Sequence, residues 1–511
     1  MAQADKHQIQ GTKKIYLAGL RHRVTRTFGL IVLVTWASLY LPNIANTPRW
    51  YGDETITLAC GQDLAQGIFA NRAVWNTYIN PQFCYQPGYV FIVGMLSNLG
   101  DGNIAWPRLF NAFLALGIAW TCLFWVRRRV GFTAGLMAAL LFLSYEQSVI
   151  HFRWVYAHNA AALGILLCAS SLTLRKCSRR EWQSGLGLAI AAISHPLALH
   201  GGIAAWLNRW NQPKSWIRIL LPPLLIGTLC ILPIWIWNFS WWWSDLHDLR
   251  DFYTGFSKEL GAGIQWPLNF WSFFTHDYFH ALSGCSLLIC LFTPMRPIAL
   301  TGIVLVALLT QNRQNLPVFY YQAVVALPLL TACLGFSLVK VCKKCFRAFS
   351  FRRMIPFLLP IALLIHVGPK VWSNALVSRN DPWVIQSNYD HIHVIDWVNE
   401  HTKPSDLVIC HWNVGWRLKC QNADLMMCVG WDGLPTFTYE HGLPRDRFRY
   451  PADIHKAKFL VLTDIDRIWT VAQPNVNAVL NERSISAWIP VYQSGSCLVL
   501  RSRADQPDAK Q

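Results

Sequence analysis

The sequence predicts a mainly α-helical polytopic membrane protein of about eleven crossings, followed by a smaller soluble α/β unit. Three observations carry that reading. Hydrophobic residues make up 53% of the 511 residues and charged residues only 14%, a balance too apolar for a chain with a charged, water-facing surface. Apolar runs of spanning length recur through the first three quarters of the chain. Residues 1–379 hold 32 Lys+Arg against 12 Asp+Glu, whereas residues 380–511 hold 13 against 15. The formal charge of +18 therefore belongs to the apolar part, where it sets membrane orientation and does not mark a nucleic-acid partner. Intrinsic disorder, collagen and a small disulfide scaffold are excluded by the same composition.

Taken in order, spans are expected near 28–44, 104–126, 132–150, 155–174, 217–238, 279–293, 298–311, 317–339 and 354–372. The stretch 184–207 is interrupted by Ser194-His195-Pro196 and flanked by basic residues, which suits two short helices in a hairpin. Pro87 to Leu99 is only 13 residues long before Gly100-Asp101-Gly102, a length that favours an interfacial or re-entrant helix. The basic N-terminus, with Lys13, Lys14, Arg21, Arg23 and Arg26, belongs inside, and no cleavable signal is expected there. Placing Arg127–Arg129, Arg175–Arg180, Arg209–Arg218, Arg296 and Lys340–Arg353 inside as well leaves the C-terminus outside. Residues 1–379 then form a transmembrane module with outer loops 45–103 and 239–278, the second opening on Trp241-Trp242-Trp243, an aromatic interface belt. Residues 380–511 form an outer-facing α/β domain, with helices at 393–401 and 467–481 and strands at 407–411, 458–463 and 497–501.

Cysteines fall in even numbers outside: Cys60 and Cys84 in the first loop, and Cys410, Cys420, Cys428 and Cys497 in the C-terminal domain. That permits disulfides, although small buried hydrophobes are the plainer reading. The lone pair Cys342 and Cys345 is a weak zinc signal. No cofactor is required by any motif. A divalent cation at Asp245, His247, Asp248 and Asp251 is possible in principle, but such scattered ligands are usually solvated. No P-loop, Rossmann glycine fingerprint, nucleophile elbow or HExxH motif is present.

Chemistry points to Trp50-Tyr51-Gly52-Asp53-Glu54, an acidic pair just past the first span. Gln86-Pro87 opens a short helix about 30 residues later, Trp106-Pro107-Arg108-Leu109 opens the next span, Arg127 to Gly131 closes it, and His151-Phe152-Arg153 ends the third. In this order the chain resembles the GT-C superfamily of membrane glycosyltransferases, in particular the protein O-mannosyltransferase and lipid A aminoarabinose transferase type. The likeness covers about residues 28–210 and the general plan.

The resemblance implies transfer of a sugar, with inversion, from a polyprenyl-phosphate donor to a lipid, glycan or protein acceptor on the outer face. Asp53 matches the family's base. Glu54 faces another way on a helix and would orient an Arg, a hydroxyl or a metal. A leaving phosphate needs cationic or hydrogen-bonding partners, for which Arg153 and His151 come first, then Arg108 and Arg72. Gln86, where relatives often carry a basic residue, and His158, His195 and His200 are the candidates for substrate binding. A bacterial plasma membrane is the expected location. The alternatives are a transporter or flippase of a lipid-linked glycan, and a non-catalytic cell-envelope assembly protein with the same fold.

Overall fold

The computed structural model describes residues 25–50, 52–67, 87–174, 178–259, 266–275, 277–311, 324–346, 354–376, 388–435, 443–466, 475–476 and 488–502. Side chains of 51–53, 245–246, 248–259, 266–268, 311 and 388–389 lie outside that description. The first helix, α1, spans 25–40. It stops short of the expected 44 because Pro42 disfavours helix at Leu41 and Asn43 turns to φ 51°. Trp36 Nε1 donates to the Ala112 carbonyl at 2.6 Å, tying α1 to a later helix.

Two short helices follow, α2 (Gly52–Ala65) and α3 (Pro87–Leu99). Proline at the first position of α3 has no N–H to leave unsatisfied. The two backbones meet at Gly61 and Gly94, where a Cβ on Gly94 would overlap the Gly61 carbonyl. Gln62 Nε2 reaches Ser97 Oγ at 3.0 Å beside this crossing.

Next come α4 (Ala105–Thr121), α5 (Phe132–Ser144), α6 (Glu146–His151) and α7 (Ala157–Leu172). Helix α4 continues through a π turn to Val130 and ends at Gly131, whose φ of 96° suits glycine. The expected span 132–150 is broken at Tyr145, whose backbone is extended. Its ring stacks on Phe279 at 3.9 Å and its hydroxyl donates to Asp277 at 2.8 Å, contacts that outweigh helix continuity there. Helices α8 (Ser178–Ala192) and α9 (Ala198–Asn208) form the expected hairpin around His195-Pro196, where proline cannot supply a helical donor.

Helix α10 (Pro213–Glu259) bends at Asn238, whose φ of −160° and ψ of 85° are not helical. The region expected as an outer loop, 239–278, is therefore largely helical, continuing into α11 (Trp266–Thr275). Helices α12 (Tyr278–Leu291), α13 (Arg296–Gln311), α14 (Leu327–Cys345) and α15 (Leu358–Trp372) complete the helical part. Among the described residues, three helices are long and apolar enough to cross a membrane: Ala105–Val130, Pro213–Ser244 and Ile355–Trp372. Five further apolar helices among the described residues are shorter. Leu224, Leu229, Ile236, Phe292 and Ile365 are 65, 66, 77, 91 and 69% exposed, an apolar surface that water would not tolerate and that lipid would cover.

The C-terminal part contains α16 (Asn388–His401), α17 (Trp412–Gly415) and α18 (Leu425–Trp431) around a five-stranded sheet. Its strands are β1 (Leu407–Cys410), β2 (Gln421–Ala423), β3 (Ala457–Leu462), β4 (Trp488–Ser494) and β5 (Cys497–Ser502), in the order β2-β1-β3-β5-β4. β1 is parallel to both β2 and β3, while β3–β5 and β5–β4 are antiparallel. Of the two helices expected here, 393–401 lies within α16, and 467–481 is outside the described residues apart from 475–476. Cys410, Cys420, Cys428 and Cys497 are all buried, in keeping with the plainer reading of small buried hydrophobes. Burial, followed by the field of Asp390, pushes the Cys497 thiol up to about 12. Cys60 is buried too, and Cys84 lies outside the described residues. Packing beneath the sheet joins Val394, Val408 and Trp416 to Trp50, Leu58, Tyr89 and Val93 in one apolar cluster, so α2 and α3 share a core with the C-terminal unit.

Candidate active site

The first turn of α2 begins at Gly52 and carries the acidic pair. Asp53 falls in that turn, but its side chain lies outside the described residues. Glu54 is fully buried and meets the equally buried Arg108 from the first turn of α4. Arg108 Nε and Nη2 donate to the two carboxylate oxygens at 2.8 and 2.7 Å, a bidentate pairing suited to guanidinium. Its Nη1 donates to the carbonyls of Ile44, Ala45 and Pro48 at 3.0, 3.3 and 2.8 Å. The Val155 N–H donates to Glu54 Oε1 at 2.9 Å. One ion pair thus fixes the start of α2, the turn after α1, the start of α4 and the segment before α7.

Arg153 has a related task. It is fully buried, with Nε donating to the Thr47 carbonyl at 2.8 Å, Nη1 to that of Leu39 at 2.6 Å, and Nη2 to that of Pro42. Both arginines were expected at the donor phosphate. In the structure Arg108 engages Glu54 and carbonyls of the 39–48 turn, and Arg153 engages carbonyls of the same turn. An arginine partner for Glu54 was among the expectations; the backbone carbonyls that both guanidinium groups also meet were not.

Three of the candidate histidines, His151, His158 and His195, lie along one row of rings with Tyr156. His151 is buried against Trp154 and Tyr156, with ring centroids 5.3 and 6.5 Å away. Tyr156 lies 5.4 Å from the ring of His158, which packs 4.0 Å from His195 on the α8–α9 turn. Neither ring nitrogen of His151, nor His200 Nδ1, has a hydrogen-bond partner among the described residues. The backbone around this row is anchored by Asn159, whose Nδ2 donates to Asn111 Oδ1 and the His151 carbonyl, each at 2.9 Å, and to the Trp154 carbonyl at 3.2 Å. Asn111 Oδ1 also accepts from the Tyr89 hydroxyl at 2.9 Å. Buried imidazoles with open nitrogens, one segment away from the Glu54 ion pair, can bind an oxygen-rich ligand.

Arg72 and Gln86 lie outside the described residues. Among the described residues, no group of three or more His, Cys, Asp or Glu side chains is placed to hold a metal ion; the side chains of Asp245, Asp248 and Asp251 are outside that set.

Sequence reasoning missed two polar clusters. Asp277 accepts from the Tyr145 hydroxyl at 2.8 Å and lies 2.9 Å from His280 Nδ1. Burial opposes the ionised form, but His280 and Tyr145 hold the Asp277 carboxyl well below the usual range. Glu146 binds Lys370 Nζ at 2.8 Å and His366 Nε2 at 3.1 Å. Asp277 and His280 are three positions apart, but the Tyr145–Asp277, Glu146–His366 and Glu146–Lys370 contacts join residues more than 100 positions apart, and no local spacing announces those.

The sequence matches no protein-family model and no curated relative. Solved structures do match. ArnT from Cupriavidus metallidurans bound to undecaprenyl phosphate superposes with a TM-score of 0.56 at 13% identity, covering 93% of this chain and 97% of that one. The archaeal oligosaccharyltransferase AglB from Archaeoglobus fulgidus, in complex with an inhibitory peptide and a dolichol-phosphate, gives 0.54 at 11% identity, with coverages of 96 and 75%. The mycobacterial arabinofuranosyltransferase AftD gives 0.51 at 13% identity, covering 94% of this chain and 40% of that one. The fold of this chain is thus similar to the one shared by ArnT, AglB and AftD.

Proposed function

We propose that the protein is a membrane glycosyltransferase that moves a sugar from a polyprenyl-phosphate donor to an acceptor hydroxyl on the outer face, with inversion. Asp53 is the general base in this reading. It takes the acceptor proton while the hydroxyl oxygen attacks the anomeric carbon and the bond from that carbon to the phosphate oxygen breaks. The electron pair leaves with the polyprenyl phosphate, whose charge needs a nearby donor set. With Arg108 and Arg153 held by other oxygens, His151, His158, His195 and His200 take that role, together with Arg72 and Gln86.

The observation that carries the reading is the buried Glu54–Arg108 pair. An ion pair taken out of water is a poor way to gain stability alone, and this one fixes the helix start on which Asp53 stands. Neighbouring structures hold undecaprenyl phosphate in ArnT and a dolichol-phosphate in AglB, which supports a lipid-phosphate donor. A bacterial plasma membrane, with catalytic face and C-terminus outside, fits the distribution of Lys and Arg.

The test is turnover. Purified protein in nanodiscs is incubated with radiolabelled polyprenyl-phosphate monosaccharides and an acceptor extract, and release of free polyprenyl phosphate is followed. Release from one donor class identifies the sugar; release from none, by folded protein, contradicts the proposal.

A further inference from the structure

One buried contact links the acid-bearing helix to the far end of the chain. Thr55, one residue after Glu54, donates its hydroxyl to Asn413 Oδ1 at 2.8 Å, and both residues are fully buried. Asn413 sits in α17, directly after β1, which is hydrogen-bonded on both edges by β2 and β3. Its N–H donates to His411 Nδ1 at 3.3 Å, which caps the short helix. Beside this bond the rings of Trp50 and Trp416 meet edge to face at 5.6 Å. A rigid path therefore runs from the interior of the sheet through α17 to the first turn of α2.

The choice of asparagine is informative. Asn413 Nδ2 and His411 Nε2 are buried without hydrogen-bond partners in the structure. A residue kept for packing alone would do better without an orphaned amide donor. We propose that Asn413 is a positioning residue of the active site: through Thr55 it holds the first turn of α2, and with it Asp53 and Glu54, in catalytic register. The inference rests on Asp53 acting as the base, and it makes the C-terminal sheet a part of the catalytic apparatus.

The experiment uses full-length protein in nanodiscs with Thr55→Val, Thr55→Ser, Asn413→Leu and the double variant Thr55→Val/Asn413→Leu. Loss of one neutral hydrogen bond at a positioned group should lower kcat roughly three- to tenfold. The donor KM should stay unchanged, Thr55→Ser should restore turnover, and the double variant should be no slower than the worse single. Backbone hydrogen exchange of residues 52–58 should rise in Thr55→Val and Asn413→Leu and remain at the wild-type level in Thr55→Ser. Unchanged exchange in the two bond-breaking variants overturns the proposal, as does raised exchange with unchanged kcat. Asp53→Asn measured in parallel separates the two claims. If it turns over like wild type, the base assignment fails; if only the Thr55 and Asn413 variants do, positioning fails and the base stands.

Discussion

Replacing Arg108 by methionine removes the guanidinium but keeps an unbranched chain of similar length. The structure sets the expected loss. Two short bonds to Glu54 disappear, along with the donor shared by the carbonyls of Ile44, Ala45 and Pro48. The Glu54 carboxylate loses its counter-charge in a fully buried position. Breaking such a pair from one side costs about 3–5 kcal/mol, most of it from the stranded charge. Neutralising the survivor should recover part of that, so Arg108→Met/Glu54→Gln should be more stable than Arg108→Met by about 1–3 kcal/mol. The assay is unfolding in mixed SDS–maltoside micelles followed by tryptophan fluorescence. A loss under about 1 kcal/mol for Arg108→Met, or a double variant weaker than the single, would refute the reasoning, since both follow from a desolvated charge pair.

Arg153→Lys keeps the charge but cannot address three carbonyls in the plane of a guanidinium, so stability should fall by about 1–3 kcal/mol. In the folded fraction, affinity for undecaprenyl phosphate should be unchanged, and a tenfold loss in a titration with that lipid would return Arg153 to the phosphate site. Burial, and then the nearby His391, push the His411 imidazole well below its usual range. The unfolded chain takes up that proton near pH 6.5 while the native state refuses it. The contribution of His411 is therefore complete above about pH 6.5 and is lost as pH falls, by up to about 1.4 kcal/mol per unit. His411→Asn, which can still cap α17, should flatten the slope of unfolding free energy between pH 7.5 and 5.5, and an unaltered slope would rule this out.

Local rules made the helical part readable. Pro87 and Gly100 bound α3, and Ser194-His195-Pro196 splits the hairpin, because proline and glycine act within a few residues of themselves. What local rules could not show is where a side chain ends up after the helices pack. Tyr145 breaks an otherwise continuous apolar run because Asp277 and Phe279, over 130 residues later, hold it. β2 is three residues long and was invisible without its neighbour β1. At the site, Asp53, Glu54, Arg108 and Arg153 could be named as candidates and an arginine could be expected beside Glu54, yet the other partners of the two arginines were not legible. Apart from the Glu54 carboxylate on Arg108, their oxygens belong to backbone carbonyls at residues 39–48, which carry no sequence signature. Asn413 was hidden for the same reason, lying 358 positions from Thr55.

The central claim is that Asp53 is the base of a sugar transfer from a lipid phosphate. The most direct measurement compares wild type with Asp53→Asn, at equal folded fraction in nanodiscs, for release of polyprenyl phosphate from the donor that wild type uses. Removing a general base lowers turnover by about 10²–10⁴-fold, so release by wild type and near-silence of Asp53→Asn is the result expected. Equal rates from the two proteins would contradict the claim and place the chemistry elsewhere on the fold.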